Sequence, residues 1–254
     1  EEGIEVVRVA ESPVESVAER LAGAVDDRTA LVLVSAVFFD SGRIARGLDT
    51  VAAQCRRHGA ALLIDAYHAL NVVPFPLAEL GLLDAFVMGG GYKYCELGEG
   101  NCFLRIPAGT ELRPVVTGWY SEFTALADRG VGGQVAYGPG PDRFAGATYD
   151  PASHYRAARV FEFFEAQHLD PATLRRVSQH QIGVLAAAVD GLDLDPTIIT
   201  RDRSMPQSEL GGFLALRSPR AMPITKALQD RGILTDARGE ILRFGPAPYL
   251  SDSQ

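Results

Sequence analysis

Cysteine is scarce in this sequence: Cys55, Cys95 and Cys102 are the only three. Their odd number, with no CxxC pair and no zinc-ligand spacing, excludes a disulfide framework and points to a reducing compartment. A cytoplasmic protein without a metal site is therefore expected. Long apolar runs are also missing, since none approaches the roughly 20 residues that span a bilayer. The sequence opens on Glu1-Glu2 rather than on basic residues leading into an apolar stretch, so neither secretion nor membrane insertion is expected. Positive charge is the minority sign, with 24 Lys and Arg against 32 Asp and Glu and a net charge of −8. Such a surface repels phosphate backbones and anionic headgroups, which argues against nucleic-acid or membrane partners. Internal repeats and low-complexity tracts are absent.

What is present is a substantial apolar complement, 47% of 254 residues, enough for a large domain or a medium and a small one. Ile4 to Val9 alternates like a strand, and Ser12 to Ala24 carries a helical pattern. Leu31 to Val37 is a continuous apolar run of the kind found in strands covered on both faces of a mainly parallel sheet. Leu48 to His58 reads as an amphipathic helix ended by Gly59. Ala60 to Ile64 and Ala85 to Met88 are further buried strands. The alternation implies right-handed crossovers and a three-layer α/β sheet, whose ligands sit beyond the C-terminal ends of the strands. From Asp150 to His168, and again from Asp170-Pro171 toward Asp190, two helices follow. The remainder alternates short strands (197–200, 212–217, 241–244) with one helix near 219–231, an α+β pattern. The division expected is a large domain over 1–150, linking helices over 151–190 and a small C-terminal α+β domain over 191–254.

Beyond the second buried strand comes Asp65-Ala66-Tyr67-His68, which sends a carboxylate into the crevice where such sheets bind ligands. An isolated aspartate there is equally well a helix cap, and a single histidine more often packs than reacts. One strand-helix-strand step later, Gly89-Gly90-Gly91 leads into Tyr92-Lys93-Tyr94. By itself Lys93 would be an ordinary loop lysine. Together, an amine and a carboxylate at adjacent strand ends are what pyridoxal phosphate needs: a lysine to hold its aldehyde carbon and an acid to keep its ring nitrogen protonated.

These two motifs resemble the cofactor motifs of kynureninases, within the class V aminotransferase superfamily. Gly118-Trp119 resembles the family's Gly-Trp step. The segment 143–148 (Arg-Phe-Ala-Gly-Ala-Thr) resembles the one that reaches a cofactor phosphate across the dimer interface. Residues 231–236 and 241–249 resemble the closing strand pair. The resemblance implies pyridoxal 5'-phosphate as cofactor and a homodimer with sites at the interface. It implies that Lys93 and Tyr92 are catalytic and that Asp65 binds the pyridine nitrogen with His68 beside the cofactor. Tyr92, Trp119 and Thr148 would complete the phosphate site, and Arg243 would grip the α-carboxylate of a small amino-acid substrate, for which a planar guanidinium suits.

The implied reaction is hydrolysis of the Cβ–Cγ bond of L-kynurenine or 3-hydroxykynurenine to anthranilate or its hydroxylated form and L-alanine. The alternatives are another class V enzyme, whether aminotransferase, desulfurase or epimerase, or a non-catalytic relative of the fold. Two departures from the family pattern bear on the substrate: Cys95 to Gly100 after the lysine, and Tyr120-Ser121-Glu122 after Trp119. A sheet of this type also begins with a phosphate-binding loop and helix that do not precede Ile4, so the N-terminal part of the cofactor domain is expected to be missing.

Overall fold

The computed structural model describes residues 3–127 and 135–253. Its first sheet has the order β1-β2-β3-β4, from Leu31–Ser35, Ala61–Asp65, Phe86–Gly90 and Cys102–Arg105. The first three strands are parallel, and β4 closes the edge antiparallel to β3. The α/β class and mainly parallel sheet expected from the alternating pattern are those of the structure.

Two helices, α1 (Val17–Gly23) and α2 (Leu48–His58), pack on each other and cover this sheet. The α2 boundaries follow from backbone chemistry. Gly47 and Gly59 flank the helix at φ 72° and 68°, left-handed conformations that glycine adopts without a Cβ clash. Leu48, Val51, Ala52 and Cys55 form its buried stripe, packed with Val32, Val34, Leu62 and Ile64 in one core.

Two expectations give way here. Residues 4–9 form no strand: the segment is mostly exposed and pairs with no strand among the described residues, so its alternation has no sheet to act on. β1 is buried on one face only, with Leu31 and Leu33 at 52% and 57% exposure, because α1 and α2 reach only the side of Val32 and Val34.

The second sheet has the order β5-β7-β6, from Leu214–Arg217, Ile241–Phe244 and Asp236–Arg238, all antiparallel. Helix α5 (Ala221–Gln229) connects β5 to β6. Two longer helices precede this sheet. The first, α3, spans Ala152–Ala166. The second, α4, spans Pro171–Gly191, and its first turn is capped by the Asp170 carboxylate, which accepts from the Thr173 N–H at 2.6 Å. Ile182 of α4 joins Leu214, Leu216, Ala237 and Leu242 in a second core. The strand expected over 197–200 shrinks to a single bridge from Thr200 to Arg217.

The two cores are stitched together by 209–213. Ile44 N–H donates to the Glu209 carbonyl at 2.9 Å and Gly211 N–H to that of Gly42 at 2.7 Å, while the Phe213 side chain enters the first core. Among the described residues no helix is long and apolar enough to cross a membrane.

Candidate active site

Asp65 is the last residue of β2, at the C-terminal edge of the parallel strands. Its Oδ1 accepts from the Tyr67 N–H at 2.9 Å, and among the described residues Oδ2 takes no donor. The turn that follows carries His68, and the neighbouring β3 ends in the glycines that precede Lys93. Those glycines are a packing requirement. A Cβ on Gly89, Gly90 or Gly91 would lie 2.4–2.5 Å from side chains of Leu70, Tyr67 and Leu97 respectively. The lysine loop therefore lies tight against its neighbours. Arg156 of α3 donates to the carbonyls of Leu97 and Glu99 and anchors the loop from outside.

Lys93 Nζ lies 3.0 Å from His68 Nε2. Burial, with Lys93 and Arg243 nearby, pushes the His68 imidazolium from 6.5 down to about 4. His68 is thus neutral at neutral pH, and its Nε2 accepts from the lysine. Lys93 is itself held below the ordinary lysine value, first by burial and then by the Arg243 charge, against the opposing pull of Asp236 and Asp65. This amine gives up its proton more readily than a surface lysine does.

The far wall comes from the second sheet. Arg243 on β7 is 9% exposed, and its guanidinium lies 3.6 Å from the ring centre of Phe39 and 5.2 Å from that of Phe213. The same two rings flank His68, at 5.8 and 5.6 Å between centroids. Arg243 pairs with Asp236, its neighbour across the β6–β7 ladder. Tyr94, beside the lysine, is wedged under Gly212, where a Cβ would lie 2.7 Å from the tyrosine hydroxyl.

Of the residues singled out in the sequence, Asp65, His68, Tyr92, Lys93 and Arg243 thus gather at one end of the first sheet. Tyr92 is half-exposed, 5.6 Å from the Tyr67 ring, and burial first, then the Cys102 and Glu99 charges, raise its phenol. Trp119 and Thr148 make no hydrogen bond or ring contact with this group among the described residues. Trp119 is 43% exposed and stacks with Tyr120 and Phe123, and Thr148 is exposed. Gly118 packs against the backbone of Gly146, so these two segments meet each other. Among the described residues, no hydrogen bond, ion pair or ring contact joins Trp119 or Thr148 to Lys93. Phe39, Phe213 and Asp236 were not foreseen as site residues. Asp236 carries a sequence signal, an acid facing a base across a short hairpin; the two phenylalanines carry none.

The donor set suits pyridoxal phosphate. An amine of lowered proton affinity, a strand-end carboxylate with one open oxygen and a guanidinium set against two phenylalanine rings come together at one end of the first sheet. One solved structure with this fold carries that cofactor. The chain resembles the apo cysteine desulfurase of Thermococcus onnurineus NA1 at TM-score 0.73 and 16% identity, over 97% of this chain and 62% of that one. It resembles a mutant of C-DES carrying glycine covalently linked to its PLP cofactor at TM-score 0.69 and 19% identity, over 91% and 59%. For the cysteine desulfurase CsdA of Escherichia coli the values are 0.69 and 14%, over 93% and 59%. The chain thus has the fold of these structures and spans about three fifths of their length. Its residues 174–254, which include most of α4, the second sheet and Arg243, match the family described as the kynureninase C-terminal domain. No curated protein matches the sequence.

Proposed function

We propose that this chain is the greater part of a pyridoxal-phosphate-dependent, kynureninase-like hydrolase that releases L-alanine and an anthranilate from L-kynurenine or 3-hydroxykynurenine. The observation that carries the reading is that the segment matching the kynureninase C-terminal domain delivers Arg243 to the Lys93–His68 pair. When bound, pyridoxal phosphate supplies the electron sink that cleavage of a carbon–carbon bond at Cβ needs.

The chain's own groups have separable tasks. Lys93 holds the cofactor and, as a free amine, carries protons to and from the substrate's Cα. His68 accepts from Lys93 Nζ and keeps the lone pair of the amine oriented. Asp65, with its open Oδ2, would hold the pyridine nitrogen. Arg243 would take the α-carboxylate with its guanidinium. Tyr92, whose phenol keeps its proton well into the alkaline range, donates a proton to the departing Cβ. Water adds to the γ-carbonyl of the substrate as the Cβ–Cγ bond breaks, which balances kynurenine and water against anthranilate and alanine. A desulfurase would need a thiolate, and burial pushes the Cys95 thiol up to about 11.

The exposed Trp119–Phe123 aromatics and the neighbouring Thr148 belong, in this reading, to a homodimer interface that completes the partner's phosphate site.

The test is an absorbance spectrum of the full chain with pyridoxal phosphate beside Lys93→Ala, followed by anthranilate fluorescence with L-kynurenine. A visible band that disappears in the variant, together with anthranilate release, is the expected result. The band without anthranilate would replace the substrate, and no band would remove the enzyme.

A further inference from the structure

The wall beside His68 hangs on a stretch of chain that is gripped through its backbone. Gly212 packs on the Tyr94 hydroxyl, and the Phe213 ring centre lies 5.6 Å from that of His68 and 5.2 Å from the Arg243 guanidinium. The first core holds this stretch from one side, with Gly211 N–H on the Gly42 carbonyl and Ile44 N–H on that of Glu209. Arg175 of α4 holds it from the other. Its Nη1 donates to the Leu210 carbonyl at 2.7 Å and to that of Gly211 at 3.3 Å, and its Nη2 donates to that of Ser208 at 2.9 Å. Glu209 pulls on this cation without pairing with it, being taken by Arg46 at 3.0 and 3.3 Å. A half-buried guanidinium is thus committed to three carbonyls of one segment, and the last of them belongs to the residue before the wall begins.

We infer that Arg175 is a positioning residue of the active site: by fixing the carbonyls of 208–211 it sets Gly212 against Tyr94 and Phe213 against His68. The inference rests on the reading of Lys93 and His68 as the reactive pair, which the Phe213 ring helps to shield from water. Two consecutive glycines are a freely jointed link, so local backbone preference does not place Phe213 and an outside grip on Gly211 must. A guanidinium suits that task, because its fork of fixed donors spans several carbonyls where an ammonium is a single point charge. The fit so maintained is close: a Cβ on Gly211 would lie 2.7 Å from Val37, and one on Gly212 2.4 Å from the Tyr94 ring. The charges that act on His68 are those of Lys93, Arg243, Asp65 and Asp236, beside the Phe39 and Phe213 rings. None of these charges lies on α4 or on 208–213, so Arg175 reaches His68 through the wall rather than through its own field.

The test is an NMR pH titration of the His68 ring in the full chain, as wild type, Arg175→Met, Arg175→Lys and Ile182→Val. The nuclear Overhauser contact between the His68 and Phe213 rings and the melting temperature are measured on the same samples. Wild-type His68 titrates well below 6.5. In Arg175→Met its titration rises by about one pH unit, as water reaches a ring that burial had kept neutral, and the ring-to-ring contact is lost. Arg175→Lys, which keeps the charge but not the fork, falls between the two. Ile182→Val lowers the melting temperature from the same helix, where Ile182 is fully buried in the second core, and moves neither signal. Should Arg175→Met not fold, Arg175→Lys decides by the same two signals. An unchanged titration and contact on loss of the guanidinium would overturn the inference. So would equal shifts in Ile182→Val, which mark general loosening, or a wild type that already titrates at 6.5. Neither signal needs cofactor or substrate, so a protein that releases no anthranilate but shows the Arg175-dependent titration loses the kynurenine reading alone.

Discussion

Replacing His68 by Gln tests the electrostatics of the site through protein stability. The imidazole sits between Phe39 and Phe213 with its Nε2 on Lys93, and burial chiefly, then the Lys93 and Arg243 charges, take its value from 6.5 to about 4. Below pH 6.5 the unfolded chain takes up a proton that the folded chain refuses, so stability declines as pH falls from 6.5 toward 4 and is fully present above 6.5. At ~1.36 kcal/mol per pH unit the ceiling is about 3 kcal/mol. His68 is only partly buried, and solvent screening reduces this to roughly 1–2 kcal/mol. Gln cannot take the proton yet keeps an acceptor for Lys93, so its packing cost is a constant offset while its stability curve between pH 4 and 6.5 is flatter by that amount. Urea denaturation at half-unit pH intervals measures both curves. Parallel curves for wild type and Gln would show that His68 is not held neutral by the fold.

Two further substitutions probe the scaffold and the lysine loop. Leu242→Ala opens a cavity in the second core, where Leu242 is fully buried beside Leu214 and Leu216, and should cost about 2–5 kcal/mol in chemical denaturation. Gly91→Ala drives a methyl against Leu97, 2.4–2.8 Å from its side-chain atoms, and displaces the loop. Fluorescence titration of pyridoxal phosphate should show about tenfold weaker binding, on the order of an overpacking strain; unchanged affinity would mean that the loop is looser than its packing.

Legibility in the sequence followed the source of each constraint. α2 was read with its true ends because its apolar stripe and its closing glycine both act locally. β3 and β7 likewise carried their own patterns. β4 was missed because Cys102, Phe103 and Leu104 are exposed on an edge, so no burial alternation marks them. Residues 4–9 misled for the opposite reason, an alternation with no neighbour to pair with. At the site, Asp65 and Lys93 stood out because each closes a buried strand, and the identity of their chemistry came from motif resemblance. Phe39 and Phe213 were hidden because they lie 174 positions apart and become a pair only when 209–213 docks on 42–44. Contacts between distant segments leave no periodic trace.

That separation has a consequence for the order of events during synthesis. Asp65 and Lys93 are made early, and the strands that carry them can pair with near neighbours while the chain is still growing. Arg243 arrives last, and its wall of the site forms only after the loop joining Phe39 to Phe213 has closed, a contact of high sequence separation and correspondingly late formation. A nascent chain therefore carries Lys93 and His68 together before Arg243 stands beside them, and the full constellation is assembled only as the last strand is set beside β5.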